Sequence, residues 1–299
     1  MARRIGAIAV LAAFLAAASP AEARQKFIEQ RVAVAPGVTL RTVESGHSAA
    51  RPPLVFIPGW STGAEIWRAQ LERFDDDYRV ISFDPRSQGA SSRTMSGNAP
   101  EQRSADLHAL LAAKRVARPI LVGWSQGVQD VAAYVERYGT GGLAAIVLVD
   151  AAVSDGAKGI AQRPRETAVQ FDLFGVYAAH QPEYLRGMFG AIISKPQPPG
   201  VVDRAVAVAM KTPPSIGLSM LVSDMFTVDR TPALSKVNCP LLVIASGSSS
   251  ELDRQKAEAK LVRNGQFVQI DGAAHAVFLD QPDRFAAVLS DFLRSIARH

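Results

Sequence analysis

Six short apolar runs recur along the chain without the polar alternation of a half-exposed strand. They are LVFI at 54–57, VISF at 80–83, ILV at 120–122, IVLV at 146–149, LLVIA at 241–245 and FVQI at 267–270. Continuous runs of this kind suit strands covered on both faces, as in a parallel sheet flanked by helices. Upstream, RVAVAPGVTLRTVES at 31–45 reads as two short strands turning at Pro36-Gly37. Between the apolar runs lie stretches with helical periodicity. SADLHALLAAKRV opens on Ser104 as an N-cap, QGVQDVAAYVERYG closes on Gly139 as a C-terminal stop, and DRFAAVLSDFLRSIARH ends the chain as an amphipathic helix. Strand alternating with helix predicts a doubly wound α/β fold with a mostly parallel central sheet.

One segment breaks the rhythm. From 151 to 238 no strand run occurs, and helix-like pieces are separated by prolines at 164, 182, 196, 198, 199, 213 and 214. A structureless loop of that length does not fit inside a compact domain. The segment therefore reads as a helical cap, 151–238, inserted between two parts of an α/β core at 24–150 and 239–299. Four of the six methionines lie in it (Met188, Met210, Met220, Met225), with Phe171, Phe174, Tyr177, Tyr184, Phe189 and Phe226. Such side chains can line a flexible apolar substrate pocket, although most residues of this kind form a cap's own packing.

Composition narrows the function. The 299 residues carry a formal net charge of +5, with 33 Lys and Arg scattered among 28 acids. A nucleic-acid binder needs a concentrated basic stripe, which is lacking here. Residues 1–23 combine Arg3 and Arg4, an apolar run at 5–19 too short to span a bilayer comfortably, and the small-residue site Ala21-Glu22-Ala23. That is the layout of a secretory signal peptide, which implies a periplasmic or secreted protein with no stable membrane span after cleavage. Cys239 is the single cysteine, so no intramolecular disulfide can form and no metal site can rest on a Cys pair.

The chemistry concentrates at Gly123-Trp124-Ser125-Gln126-Gly127, placed between a buried strand and a helix. A G-x-S-x-G turn there strains the serine backbone and exposes its hydroxyl beside a helix N-terminus, which favours developing negative charge. Ser125 is thus a candidate nucleophile. A serine hydroxyl needs a base to take its proton. Of the five histidines (47, 108, 180, 275, 299), only His275 lies in a loop between the last sheet strand and the final helix. Two amides are placed to receive an oxyanion: the N–H of Gln126, directly after the nucleophile, and the N–H of Trp60, in the Pro58-Gly59-Trp60-Ser61 loop after the first core strand. Asp84, Arg86 and Gln88, at the end of another strand, read as structural ties between loops.

FIPGW, FDPRSQGAS, GWSQG and GAAHAVFLDQPDRFAAVLSDFL together resemble the α/β-hydrolase superfamily over essentially the whole mature length. The resemblance implies the sheet with an inserted cap and a Ser-acid-His order along the chain. Haloalkane dehalogenases and epoxide hydrolases share the fold but use an aspartate nucleophile, which Ser125 argues against. Two departures matter. Pro58 stands where many relatives have His, and Ser250 stands three residues after Gly247, where relatives commonly place the acid. Two readings of the acid follow. One is Glu251 or Asp253 in a lengthened loop, although Ser248 to Glu251 also fits a helix capping box. The other is Asp150, at the tip of the strand after the elbow helix, a position that some relatives use.

The expected function is a serine esterase that cleaves carboxylic esters of small to medium apolar acyl groups through an acyl-enzyme, with no cofactor and no metal. The expected partner is a small-molecule substrate. Two rivals stand beside it. The same triad can act on a lactone, an amide, a carbon–carbon bond or in perhydrolysis, or the fold can serve as a weakly catalytic binding protein.

Overall fold

The computed structural model describes residues 26–46 and 50–296. The expected signal peptide, His47 and His299 lie outside these residues. Eight strands form one sheet: β1 (Ile28–Ala35), β2 (Val38–Ser45), β3 (Leu54–Ile57), β4 (Val80–Phe83), β5 (Ile120–Trp124), β6 (Ala145–Val149), β7 (Leu241–Ser246) and β8 (Gly265–Ile270). Their order across the sheet is β1-β2-β4-β3-β5-β6-β7-β8. The hairpin β1–β2 joins antiparallel, and β3 to β8 run parallel to one another. The hairpin turns at Gly37, whose φ of 71° suits a residue without a side chain.

Period-two alternation explains why the strands read as unbroken apolar runs. In β3, Leu54 and Phe56 pack into one hydrophobic cluster while Val55 and Ile57 pack into the other, on the opposite face. The first face is covered by helix Pro282–Ile296 and helix Arg68–Phe74, through Phe285, Leu289, Leu71 and Phe74. The second is covered by helices Pro100–Ala113, Gln126–Tyr138 and Leu252–Leu261, through Leu107, Leu110, Val131, Val135 and Ala259. The exception is β8. It closes the sheet as an edge strand, so most of its residues stay partly or fully exposed.

Two helix starts differ from the expected ones. The helix expected to begin at Ser104 starts one turn earlier, with Pro100 in its first turn, and Ser104 Oγ donates to the Glu101 carbonyl at 2.8 Å. Proline's fixed φ and missing N–H suit that position, so the side-chain cap is dispensable. The Ser248–Glu251 capping box also does not form. Ser248 Oγ donates instead to the Ala273 carbonyl, and the Glu251 N–H donates to Ser249 Oγ.

Between β6 and β7 the chain runs through helices Ala157–Gln162, Pro164–Ala179, Gln181–Ile192, Val201–Ala209 and Pro214–Val222, a π-helical turn at Ser223–Thr227, and the short helix Thr231–Leu234. Both ends of this segment belong to the core: Ala151, Val153, Ala233, Leu234 and Val237 join the second cluster. Tyr177, Leu185, Phe189 and Met220 are fully buried and extend the first cluster upward into the helical layer. Among the described residues no single helix is long and apolar enough to cross a membrane.

Chain order reverses between β3 and β5, since β4 lies on one side of β3 and β5 to β8 on the other. Such a switch point opens a crevice at the carboxyl ends of the strands. Trp67 holds the first face together beneath it. Its ring is fully buried, stacks on Phe278 at a centroid distance of 3.9 Å and meets Phe56 at 5.0 Å. Trp67→Ala is expected to cost about 3–5 kcal/mol, measured as a lower urea midpoint with unchanged slope; a loss near zero would show that the layer does not depend on this ring.

Candidate active site

Strand β5 ends at Trp124 and the next helix begins at Gln126, leaving Ser125 alone to make the turn. Its backbone takes φ 55° and ψ −116°, a conformation that L-residues seldom adopt and that surrounding structure must enforce. The enforcement is visible at the flanking glycines. A Cβ on Gly123 would lie 2.5 Å from the Gly127 carbonyl oxygen, and a Cβ on Gly127 would lie 2.7 Å from the Ile57 carbonyl oxygen. Strand and helix therefore approach too closely for any side chain at either position. Gly59 is similarly tight: its Cβ would lie 2.9 Å from the Trp124 ring and 3.2 Å from Ser125 Cβ. The loop after β3 is thus laid directly against the serine.

Asp150 follows β6 at φ 48°, another strained corner. Its carboxylate is 1% exposed. One oxygen accepts the Ser246 N–H at 2.6 Å, and the other accepts the Ser246 hydroxyl at 3.1 Å. That second oxygen also lies 2.9 Å from His275 Nδ1. A carboxylate can only accept, so Nδ1 carries the proton and Nε2 is left as the basic nitrogen of the ring. The Trp124 indole N–H donates to the His275 carbonyl at 3.0 Å, and the two rings lie 5.3 Å apart. The histidine loop is thereby tied to the elbow as well as to Asp150.

Ser125, His275, Asp150, Trp60 and Gln126 all line one cavity of about 830 Å³. Among the described residues, neither the Trp60 nor the Gln126 amide donates to another protein group. Two free N–H groups beside a serine are suited to a developing negative oxygen. The Trp60 indole N–H donates to the Gly217 carbonyl at 2.9 Å, which links this loop to the helical layer above. The apolar wall comes from that layer and includes Tyr184, Met188, Ile192, Leu221, Met225 and Phe226. Of the other residues expected there, Tyr177, Phe189 and Met220 are buried in the layer's own packing, as Phe174 nearly is, while Phe171 and Met210 face solvent.

Neither rival acid is bonded to His275, although Glu251 also lines the cavity. Glu251 accepts the Ala152 N–H at 3.1 Å and pairs with Arg254 at 2.5 Å, and Asp253 is exposed on its helix. His108 stacks on Tyr138 at 4.0 Å, and His180 is exposed between two helices. Asp84 accepts the Ala64 and Ala90 amides at 2.7 and 2.8 Å, which ties the segments after β3 and β4 together, and Arg86 pairs with Asp106 through two hydrogen bonds, which ties the second of these to helix Pro100–Ala113. Cys239 is buried, and burial pushes its thiol up to about 11, which leaves it un-ionised at neutral pH.

Sequence reasoning missed three supports of the site. Ser246 holds Asp150 from the next strand, Trp124 holds the His275 loop, and the Gln126 side chain donates to Asp224 at 2.6 Å. None carries a motif. The only signal is that Trp124 and Gln126 fill the two variable positions of the elbow. Among the described residues, no group of three or more His, Cys, Asp or Glu side chains is arranged to hold a metal ion.

A sequence profile of the alpha/beta hydrolase family matches residues 54–288. The non-heme chloroperoxidase of Streptomyces lividans is 27% identical over 259 residues, which is 81% of this chain and 92% of that protein. The bifunctional esterase/perhydrolase DCH of Acinetobacter calcoaceticus is 26% identical over 262 residues, 82% of this chain and 92% of that protein. Among solved structures, the esterase RhEst1 from Rhodococcus sp. ECU1013 superposes with a TM-score of 0.75 at 25% identity, covering 91% of this chain and all of that one.

Glu258 lies beneath the loop that follows Asp150, with both oxygens 3.1–3.2 Å from the Val153 N–H. Burial pushes its carboxyl from the ordinary 4.5 up to about 8. Between those values the unfolded chain has released the proton while the folded chain still holds it, so stability falls as pH rises through that window. Glu258→Gln keeps an acceptor for Val153 and does not titrate. Its thermal midpoint is expected to decline less than the parent's between pH 5 and pH 8, and equal declines in the two proteins would contradict this assignment.

Proposed function

Because the chain belongs to the alpha/beta hydrolase family, we propose that it hydrolyses carboxylic esters by way of a serine acyl-enzyme. The observation that carries the reading is the 2.9 Å contact of His275 Nδ1 with the buried Asp150 carboxylate, at the cavity shared with Ser125 and two free amides. Ser125 Oγ attacks the ester carbonyl while His275 Nε2 takes its proton. The Trp60 and Gln126 amides receive the charge that develops on the carbonyl oxygen, in a site where no solvent needs to reorganise. Asp150 stabilises the imidazolium without taking its proton. The imidazolium then protonates the leaving alcohol. Water, deprotonated by His275, attacks the acyl-enzyme and releases the acid, returning Ser125 and the neutral ring.

The wall of Tyr184, Met188, Ile192, Leu221, Met225 and Phe226 supports small to medium apolar acyl groups as the preferred substrates. Ser250, standing where an acid is common, is the sequence feature that favours the binding-protein alternative; the contact of Asp150 with His275 from a different strand favours catalysis.

The test is p-nitrophenyl butyrate hydrolysis. Ser125→Ala is expected to lower kcat by about 10³-fold or more and Asp150→Asn by about 10²- to 10⁴-fold, with Asp253→Asn equal to the parent within about twofold. A Ser125→Ala protein as active as the parent would end the hypothesis.

A second reading is favoured by the similarity to an esterase/perhydrolase and a chloroperoxidase. Hydrogen peroxide in place of water would attack the same acyl-enzyme, releasing a peracid and free Ser125. With an ester and peroxide supplied together, peracid is expected to form at a rate that Ser125→Ala abolishes. Peracid production that survives the substitution would exclude the acyl-enzyme as its source.

A further inference from the structure

The side chain of Gln126 is bonded into a buried set of charges. It is 4% exposed, donates from Nε2 to Asp224 Oδ2 at 2.6 Å, and accepts from Gln88 Nε2 at 3.1 Å. The other Asp224 oxygen lies 2.5 Å from the Arg103 guanidinium. Arg103, 1% exposed, also pairs with Asp130 at 2.7 Å and donates to the Asn98 carbonyl. Asp130 stands one turn beyond Gln126 on the same helix, Gln126–Tyr138. Arg103 therefore grips the elbow helix twice: directly at Asp130, and through Asp224 at its first residue.

Asp224 itself comes from the helical layer, on the π-helical turn Ser223–Thr227, and also lines the cavity. A π turn gives up regular helical hydrogen bonding and is found disproportionately where function demands a side chain in a particular place. Buried ion pairs are a poor source of stability, because the desolvation of each charge offsets most of the attraction. Burial pushes the Asp224 carboxyl upward, and Arg103 opposes that shift. An apolar contact would seat the helical layer at less cost. It would not fix the direction of the Gln126 side chain.

We propose that Asp224, oriented by Arg103, is a positioning residue that fixes Gln126 and so aims the amide that receives the oxyanion, making the site competent only when the helical layer is seated. This rests on the reading of the Gln126 N–H given above. The chemistry of Ser125, His275 and Asp150 is unchanged by it; what Asp224 supplies is the angle at which one donor is presented.

The experiment is a double-mutant cycle of Asp224→Asn and Gln126→Met, read as kcat and KM on p-nitrophenyl butyrate together with backbone amide hydrogen exchange over residues 124–128. Each single variant is expected to lower kcat by about 10- to 100-fold, as for a misaimed rather than deleted donor, with KM changed by less than about twofold. The double variant is expected to be no worse than the poorer single one, since both break the same link. Exchange at the hydrogen-bonded Ser125 and Val128 amides, on either side of Gln126, is expected to quicken in all three.

A raised KM with unchanged kcat in Asp224→Asn would make Asp224 a wall of the cavity and overturn the proposal, as would losses that multiply in the double variant. Where Asp224→Asn fails to fold, Gln126→Met leaves the Arg103–Asp130–Asp224 set intact and decides alone: no fall in kcat overturns the link. A parent inert towards esters would sink the ester reading instead. Exchange at the Ser125 and Val128 amides that stays the same in the variants would then still refute the positioning role.

Discussion

The close approach of strand β5 to the helix that follows it is the constraint on which the rest of this structure depends. A Cβ on Gly123 would lie 2.5 Å from the Gly127 carbonyl oxygen and one on Gly127 would lie 2.7 Å from the Ile57 carbonyl oxygen, so strand and helix leave the chain one residue in which to reverse. Ser125 is that residue, and its φ of 55° is the result. Strain of this kind costs of order 1–3 kcal/mol and persists only where neighbours over-determine it. Here the neighbours are the sheet itself. The Ser125 N–H donates to the Val149 carbonyl, so the turn is hydrogen-bonded to the adjacent strand as well as wedged by the helix.

Every other part of the site is referenced to that turn. Gly59 lets the loop after β3 lie on Trp124 and Ser125, and Trp124 in turn carries the His275 carbonyl. Asp150, strained at φ 48°, meets the histidine from the tip of β6 and is held by Ser246 at the end of β7. Adjacent parallel strands thus supply adjacent functional groups, because strands of a parallel sheet end on the same edge and their loops share one crevice. A carboxylate offered from β6 is as near to that crevice as one offered from the loop after β7. What separates the candidates is reach: Asp150 lies 2.9 Å from His275 Nδ1, whereas Glu251 is engaged with Ala152 and Arg254 and Asp253 is exposed on its helix.

The helical layer between β6 and β7 contributes two things of opposite character. Its apolar side chains form a wall that can adapt, with methionines at 188 and 225 facing the cavity. Its single buried carboxylate, Asp224, forms a fixed joint with Arg103 and Gln126. Trp60 adds a second joint through its indole N–H to Gly217. Both joints end on residues, Gln126 and Trp60, that line the cavity with Ser125, so the helical layer is bonded to the two loops that flank the candidate nucleophile.

Much of the fold was legible in the chain by itself. The continuous apolar runs at 54–57, 80–83, 120–122, 146–149 and 241–245 marked strands buried on both faces, and Gly139 and Pro36-Gly37 marked a helix stop and a hairpin, because these depend on periodicity and local backbone chemistry. Only tertiary structure showed that β8 is an edge strand, since exposure depends on what packs beside it. Ser125 and His275 stood out because the elbow is a local motif and the other histidines lay in unsuitable elements. The partner of His275 was ambiguous between Asp150, Glu251 and Asp253. Which carboxylate reaches an imidazole 125 residues away is set by strand order across the sheet, and linear spacing does not encode it. The same holds for Arg103, Asp130 and Asp224. Each reads in sequence as a solvated charge on a helix, and only the packing of three separate helical segments makes them one buried set beneath Gln126.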